Sequence, residues 1–263
     1  MSVSLSPQQR SAIINRLRAA GCVFAEDEAR LLISAAPTST GLAAMVVQRI
    51  DGLPLEQILG WAEFWGLRIA VDPGVFIPRR RTEFLVRQAL ALSRPGVVVL
   101  DLCCGSGAVG AALVSSFPQA ELYAADISSA AVQCARRNLG IWGGRVFEGD
   151  LFEPLPATLR GGIDVLVANV PYVPTSAIEL MPSEARKYEP RVALDGGGDG
   201  LDVQRRVAAS APTWLAPGGS LLVETSERQA SQSADIFARS GLIPRVVSSD
   251  ELDATVVIGT KPS

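Results

Sequence analysis

Histidine is absent from all 263 residues. That removes Ser-His-Asp and Cys-His catalysis, histidine metal ligation and the usual neutral-pH proton acceptor. Cysteine is scarce. Cys22, Cys103, Cys104 and Cys134 show no paired framework, and the adjacent two lie in an apolar strand, the common setting of a buried free thiol. No apolar stretch approaches the roughly 20 residues a membrane span needs. The opening MSVSLSPQQR lacks the basic-then-apolar pattern of a signal peptide. A reducing, cytoplasmic setting without membrane attachment is expected. Charge is low too: charged residues make up 19% and the net charge is −3, which argues against a broad nucleic-acid-binding face. The run Arg79-Arg80-Arg81 is a local exception, read first as a solvated turn and second as a phosphate clamp.

What is present is apolar. Hydrophobic residues reach 48%, enough for a well-buried core in one large domain or two smaller ones. Residues 6–58 carry a helical pattern. Ser6-Pro7 offers a capping side chain followed by proline in the first turn, and Gln9 completes a capping-box spacing. Ile13, Ile14 and Leu17 then share one face. EDEARLLISAA (26–36) opens with acids, as a positive helix N-terminus favours, and TGLAAMVVQRI (40–50) continues the helical period. No strand signal appears before about residue 67.

From residue 97 onward short β-branched runs alternate with helix-like segments. The strand candidates are 97–103, 120–127, 145–150, 163–169, 220–226, 244–249 and 254–260. Their spacing in the first half predicts parallel strands with helical crossovers, hence an open α/β sheet whose ligands bind at the strands' carboxyl ends. Asp101, Asp126, Asp150 and Asn169 all fall at or near such ends.

Gly105-Ser106-Gly107-Ala-Val-Gly110 follows the first of these strands and opens a helix, a literal match to the dinucleotide fingerprint. Glycines let a ligand approach the backbone closely. Asp101, just before the loop, would repel a pyrophosphate and attract a cationic ligand, which favours the sulfonium and ammonium of S-adenosylmethionine. Asp126 is placed to accept hydrogen bonds from ribose hydroxyls, or to cap the following helix, or both. Asp150 suits an adenine amino group, or a plain turn. The fourth strand ends in ANVPYVPT (168–175), where two prolines stop the sheet ladder. Asn169 and the carbonyl of Val170 offer two hydrogen-bond acceptors, Pro171 stiffens the exit and Tyr172 offers a flat wall. Such a pocket suits an exocyclic amine or a carboxamide, held for in-line transfer by proximity and orientation.

Asp101-Leu-Cys-Cys-Gly105-Ser-Gly107, Asn169-Val-Pro-Tyr172 and EPRVALDGGGDGLD (189–202) together resemble the protein-(glutamine-N5) methyltransferases that modify peptide-chain release factors. LGWAEFWGLRIAVDPGVFIPRRRTE (59–83) resembles that family's segment between its N-terminal helices and catalytic domain, and GGSLLVETSERQ (218–229) its later strand. The resemblance implies a helical substrate-recognition domain over 1–66, a connecting β-hairpin segment over 67–95, and a class I, Rossmann-like domain with a seven-stranded sheet over 96–263. It implies S-adenosylmethionine as cofactor, no metal, and the glutamine of a release factor's Gly-Gly-Gln tripeptide as acceptor. On it, Asn169, Val170, Pro171 and Tyr172 hold the amide, while Asp101, Gly105, Ser106, Gly107, Asp126, Asp150 and Asn169 hold the donor.

Two departures are visible. Val170 replaces the first proline of the family's Asn-Pro-Pro-Tyr, which keeps the carbonyl, loses the fixed φ and implies looser preorganisation. Pro78-Arg-Arg-Arg-Thr-Glu83 stands where the family has a Pro-Arg-Pro-Asp-Thr-Glu-like stretch, so arginines replace a proline and an acid beside the expected cleft. That points to a related branch with a different protein target. Amino-group methylation of adenine in nucleic acid is the alternative in the same chemistry, and a donor-binding module without transfer is the alternative outside it. A nicotinamide-dependent oxidoreductase is disfavoured by Asp101 and the strand-four loop. Asp195-Gly-Gly-Gly-Asp199-Gly200 resembles the start of a calcium loop, but position three is Gly197 and position twelve Arg206, so it reads as a glycine-rich turn.

Overall fold

The computed structural model describes residues 3–263; Met1 and Ser2, at the start of the expected helical domain, lie outside the described residues. Helix α1 (Pro7–Ala19) begins with a reciprocal capping box. The Gln9 N–H donates to Ser6 Oγ at 3.2 Å, and the Ser6 N–H donates to Gln9 Oε1 at 2.8 Å. Helices α2 (Ala25–Ala35), α3 (Ser39–Ile50) and α4 (Leu55–Leu59) follow. Their apolar stripes bury Leu17, Leu32, Leu42 and Val46 in a small core of their own.

Strands β1 (Trp61–Phe64) and β2 (Leu67–Ala70) pair antiparallel. The first strand thus lies ahead of residue 67, where the sequence first shows a strand signal. Its alternation, with Ala62 and Phe64 buried and Glu63 exposed, spans only four residues, too few to stand out against the preceding helix.

The remaining elements are α5 (Glu83–Leu92), β3 (Val98–Leu102), α6 (Ala108–Ser116), β4 (Glu121–Asp126), α7 (Ser129–Gly140), β5 (Arg145–Glu148) and β6 (Ile163–Ala168). After them come α8 (Ser183–Tyr188), α9 (Asp202–Trp214), β7 (Leu215–Thr225), α10 (Ala230–Arg239), β8 (Ile243–Ser249) and β9 (Ala254–Thr260). The seven-stranded sheet runs β5-β4-β3-β6-β7-β9-β8, with β9 antiparallel to both neighbours and the other pairs parallel. Strand β7 starts at Leu215, earlier than the apolar run SLLVETS. Leu215 pairs with Ile163, and a register shift then carries Ala216–Gly219 past the ladder before Ser220 meets Val165.

Side chains alternate across the sheet. Val99, Val165, Val167 and Leu222 face one helical layer, and Leu100, Leu102, Ala168 and Val223 face the other. Each buried aliphatic side chain of this size contributes about 2 kcal/mol. The chain winds outward from β3 to β4 and β5, then returns to β6 on the other side of β3, so the switch point lies between the carboxyl ends of β3 and β6.

The helical unit bears on the segment before β7. Arg49 donates to Glu28 and to Glu184 of α8, both at 2.6 Å, and Gln57 donates to the Tyr188 carbonyl at 3.2 Å. The side chains of Arg49 and Glu28 are each only 12% exposed. Arg49→Ala leaves the Glu28 charge largely desolvated and is expected to cost about 2 kcal/mol locally. Amide exchange should quicken in α2, α3 and α8 while the sheet amides keep their protection; uniform quickening would contradict a local clamp.

Candidate active site

A cavity joins the ends of β3, β4, β5 and β6, and Asp101, Asp126, Asp150 and Asn169 all line it. Asp101 sits one turn beneath the glycine loop, 2% exposed, with Oδ2 accepting from the Gly110 N–H at 2.9 Å. It therefore ties β3 to the first turn of α6. Burial pushes its carboxyl up from 3.8 to about 7, against the pull of the Gly110 donor. The chain then turns through Cys103 and Gly105, both at φ 54°, to Gly107 at φ 78°. A Cβ on Gly107 would meet the Leu139 side chain at 3.0 Å and Ala135 Cβ at 3.2 Å. Gly107 is therefore not on the cavity wall. It lets α6 close against α7, while Gly105 and Ser106 line the cavity. The Ser106 carbonyl accepts from Asn138 Nδ2 at 2.8 Å, and Asn138 also bonds both polar groups of the Ala70 backbone.

Asp126 ends β4 and braces the glycine loop, while the side chain that caps α7 is that of Ser128, whose Oγ accepts from the Ala131 N–H. One Asp126 oxygen accepts from the Gly105 N–H at 2.9 Å and the other from the Ser128 N–H at 2.8 Å, just ahead of α7. Burial raises its carboxyl as well. Each oxygen keeps a lone pair for a ribose hydroxyl. Asp150 Oδ2 accepts from the Arg206 guanidinium of α9 at 2.6 Å. The sequence does not reveal this partner, because Arg206 lies 56 residues away on another element. Ile127 also lines the cavity with 54% of its surface exposed, an apolar face of the kind a planar base covers.

At the end of β6, Asn169 Nδ2 points to Thr82 Oγ1 at 3.5 Å, which leaves Oδ1 as the acceptor for the cavity. Val170 is 1% exposed and packed in one of the two sheet cores. Burial thus anchors a residue whose φ no ring fixes, and no hydrogen bond among the described residues uses its carbonyl. Pro171 is buried and Tyr172 half-buried. The loop is backed by the glycine-rich turn. Gln229 Nε2 donates to the carbonyls of Tyr172 at 3.0 Å and Asp199 at 2.9 Å. A Cβ on Gly200 would lie 2.3 Å from the Tyr172 carbonyl oxygen. The Val173 N–H donates to the Leu194 carbonyl at 3.0 Å, and the Gly196 N–H to the Val173 carbonyl at 2.9 Å. The excursion between them therefore leaves and returns at one place.

The arginine run is not a solvated turn throughout. Arg79 pairs with the buried Glu189 at 2.6 Å, and Arg81 with the buried Glu224 at 3.2 Å. Arg81 also donates to the Tyr172 hydroxyl, which in turn donates to Glu224 Oε1 at 3.2 Å. Burial and the Glu224 carboxylate together hold the Tyr172 phenol protonated well beyond its ordinary range. Sequence reading missed Thr82, Glu189, Glu224 and Gln229. The one available signal was an acid inside the apolar strand SLLVETS.

The residues present fit S-adenosylmethionine. A Cβ on Gly105 would meet nothing within 4 Å, so the loop backbone is open to close approach. Of the arginines lining the cavity, Arg79 is paired with Glu189 and Arg81 with Glu224, which leaves Asp101, Asp126 and Asp150 against Arg206, a balance that favours a cationic ligand. Asp126 and the free oxygen of Asp150 would take its ribose and adenine.

Comparison with known proteins gives a consistent picture. Residues 66–186 match the family model described as the methyltransferase small domain. A release factor glutamine methyltransferase of Geobacter sulfurreducens is 41% identical over 217 residues, covering 82% of this chain and 75% of that one. A 4-amino-L-phenylalanine/4-methylamino-L-phenylalanine methyltransferase of Streptomyces pristinaespiralis is 36% identical, covering 74% of this chain and 69% of that one. Among solved structures, a methyltransferase from Pyrococcus furiosus superposes with a TM-score of 0.56 over 75% of this chain and 90% of its own, at 17% identity, a likeness of fold.

Proposed function

The chain belongs to the release factor glutamine methyltransferase family, and on that premise we propose that it methylates the side-chain amide nitrogen of a release-factor glutamine, in a Gly-Gly-Gln motif. The observation that carries the reading is the Asn169 side chain at the switch point, its nitrogen turned to Thr82 and its oxygen left for an N–H donor.

S-adenosylmethionine, when bound, supplies a methyl group on a sulfonium. Asn169 Oδ1 and the Val170 carbonyl would accept the two hydrogens of the acceptor amide, which fixes its plane and aims its nitrogen. Tyr172 would close the pocket as a wall, kept in place by Arg81, Glu224 and Gln229. The nitrogen would gain the N–C bond as the methyl–sulfonium bond breaks and the sulfur departs as a neutral thioether, and the nitrogen's extra proton then leaves to solvent. Little is asked of a base, because that proton becomes acidic only as the bond forms; orientation supplies the rate, consistent with a chain without histidine. The helical unit over 1–66 would take the body of the protein substrate. Among the described residues no helix is long and apolar enough to cross a membrane. A cytoplasmic location, where four unpaired cysteines are stable, belongs to the same reading.

The test is transfer of a labelled methyl group to purified release factor and to lysate, with nuclease- and protease-treated samples and an Asn169→Ala control. Protease-sensitive label mapping to the glutamine is expected. Nuclease-sensitive label would move the acceptor to adenine, and label in the amino-acid fraction would point to an amine like that of the Streptomyces relative. Thr82→Val is expected to release the Asn169 amide and lower kcat about tenfold, with donor-induced stabilisation retained. Equal loss of donor binding would make Thr82 a structural residue only.

A further inference from the structure

Arg81 and Tyr172 are shared by two cavities. Beyond the acceptor pocket lies a second, lined by Glu224 and Glu227 at the end of β7 and by Asp250 and Asp253 of the β8–β9 turn. Four carboxylates thus face one guanidinium. Arg81 and the Tyr172 hydroxyl both engage Glu224 Oε1. Glu224 Oε2 has no hydrogen-bond partner among the described residues, although the side chain is only 3% exposed. A buried carboxylate oxygen without a donor is costly, and a cation held in the cleft beside Glu224 lowers that cost through its field, without having to touch the oxygen.

The chemistry selects an organic cation. Among the described residues no three Cys, Asp or Glu side chains come together as a metal ion's ligands must. The acids are instead spread along a wall, which suits a guanidinium or ammonium at the end of a flexible side chain. Because Tyr172 and Arg81 form the partition, whatever enters here is continuous with the chain that presents the acceptor. We propose that this cleft is a subsite for an arginine or lysine side chain lying close in sequence to the methylated glutamine. The proposal rests on the release-factor reading. A residue one to three positions away in extended chain spans roughly 3–10 Å, the scale of the step across one aromatic ring.

Such a contact holds ground state and transition state alike, so it acts on KM and leaves kcat unchanged. The test uses full-length release factor as acceptor, with each arginine or lysine within six residues of the glutamine replaced singly by methionine. The enzymes are the wild type and Glu227→Gln/Asp250→Asn, neither position belonging to the acceptor machinery. One replacement is expected to raise KM about fivefold to tenfold for the wild-type enzyme and less than twofold for the double variant. A charge swap, Asp250→Arg against an acceptor carrying glutamate at that position, should recover at least half of the loss. If the double variant shows wild-type KM, or if every replaced acceptor behaves as the original, the subsite is refuted while the function stands. Failure of the wild-type enzyme to label unmodified release factor overturns the function and the subsite with it.

Discussion

Asn169→Ala is expected to lower kcat for release-factor methylation about 100-fold, the scale at which losing one orienting hydrogen bond misplaces a reacting atom. The donor contacts at the ends of β3, β4 and β5 remain, so S-adenosylmethionine should still raise the melting temperature of the variant. The argument is geometric. Asn169 stands where β6 meets the switch point, its nitrogen turned to Thr82 Oγ1 at 3.5 Å, and its oxygen accepts no hydrogen bond among the described residues. The neighbouring carbonyl of Val170 cannot compensate, because a single acceptor leaves the amide free to rotate about one hydrogen bond. Single-turnover rates with saturating donor and acceptor separate this loss from weakened binding. A variant that turns over within threefold of the wild type would remove Asn169 from the reaction.

The second large effect is on pH. The Asp101 carboxyl is raised by burial to about 7, so in the unliganded protein the folded chain holds a proton that the unfolded chain releases near 3.8. Stability from this group is complete below about pH 4 and is lost as pH rises through 7, a difference of about 4 kcal/mol at most. Donor binding runs the opposite way. A cation in the cavity favours the ionised carboxylate, so affinity for S-adenosylmethionine should strengthen with pH, by about fivefold from pH 6 to 7, and level off above. Asp101→Asn still offers an oxygen to the Gly110 N–H while removing the titration. Calorimetry across pH 5.5–8.5 should therefore show a flatter affinity profile in the variant; an unchanged slope would take Asp101 out of the effect.

The parts of this molecule that follow local rules were legible in the sequence. The Ser6–Gln9 box, the parallel strands and the helix after the glycine loop all announce themselves within a few residues. So do Asp126 and Asn169, because strand ends in such sheets have a fixed relation to the ligand site. Gly107 reads as a donor residue because the motif is taken as a unit; its positive φ and the lack of room for a Cβ beside Leu139 give it a packing role as well. The partners of charged groups were not legible. Arg81 meets Glu224 across 143 residues and Arg79 meets Glu189 across 110, and periodicity in one segment carries no information about which distant charge will face it. The arginines that look solvated in the sequence are held by two buried acids, and only the fold brings them together.

The closed excursion after Tyr172 has an evolutionary consequence. Because the chain leaves at Val173 and returns at Leu194 and Gly196 through paired backbone bonds, the stretch between behaves as a cassette apart from Glu189, which is held by Arg79. Its length and sequence can be exchanged at small entropic cost, since closing a longer loop between fixed ends adds only about 0.6 kcal/mol per doubling. The sheet, the glycine loop and Asn169 lie outside it. Changes confined to this insert, together with the residues of the helical unit that rest on it, can therefore reshape the acceptor side while the catalytic frame stays as it is.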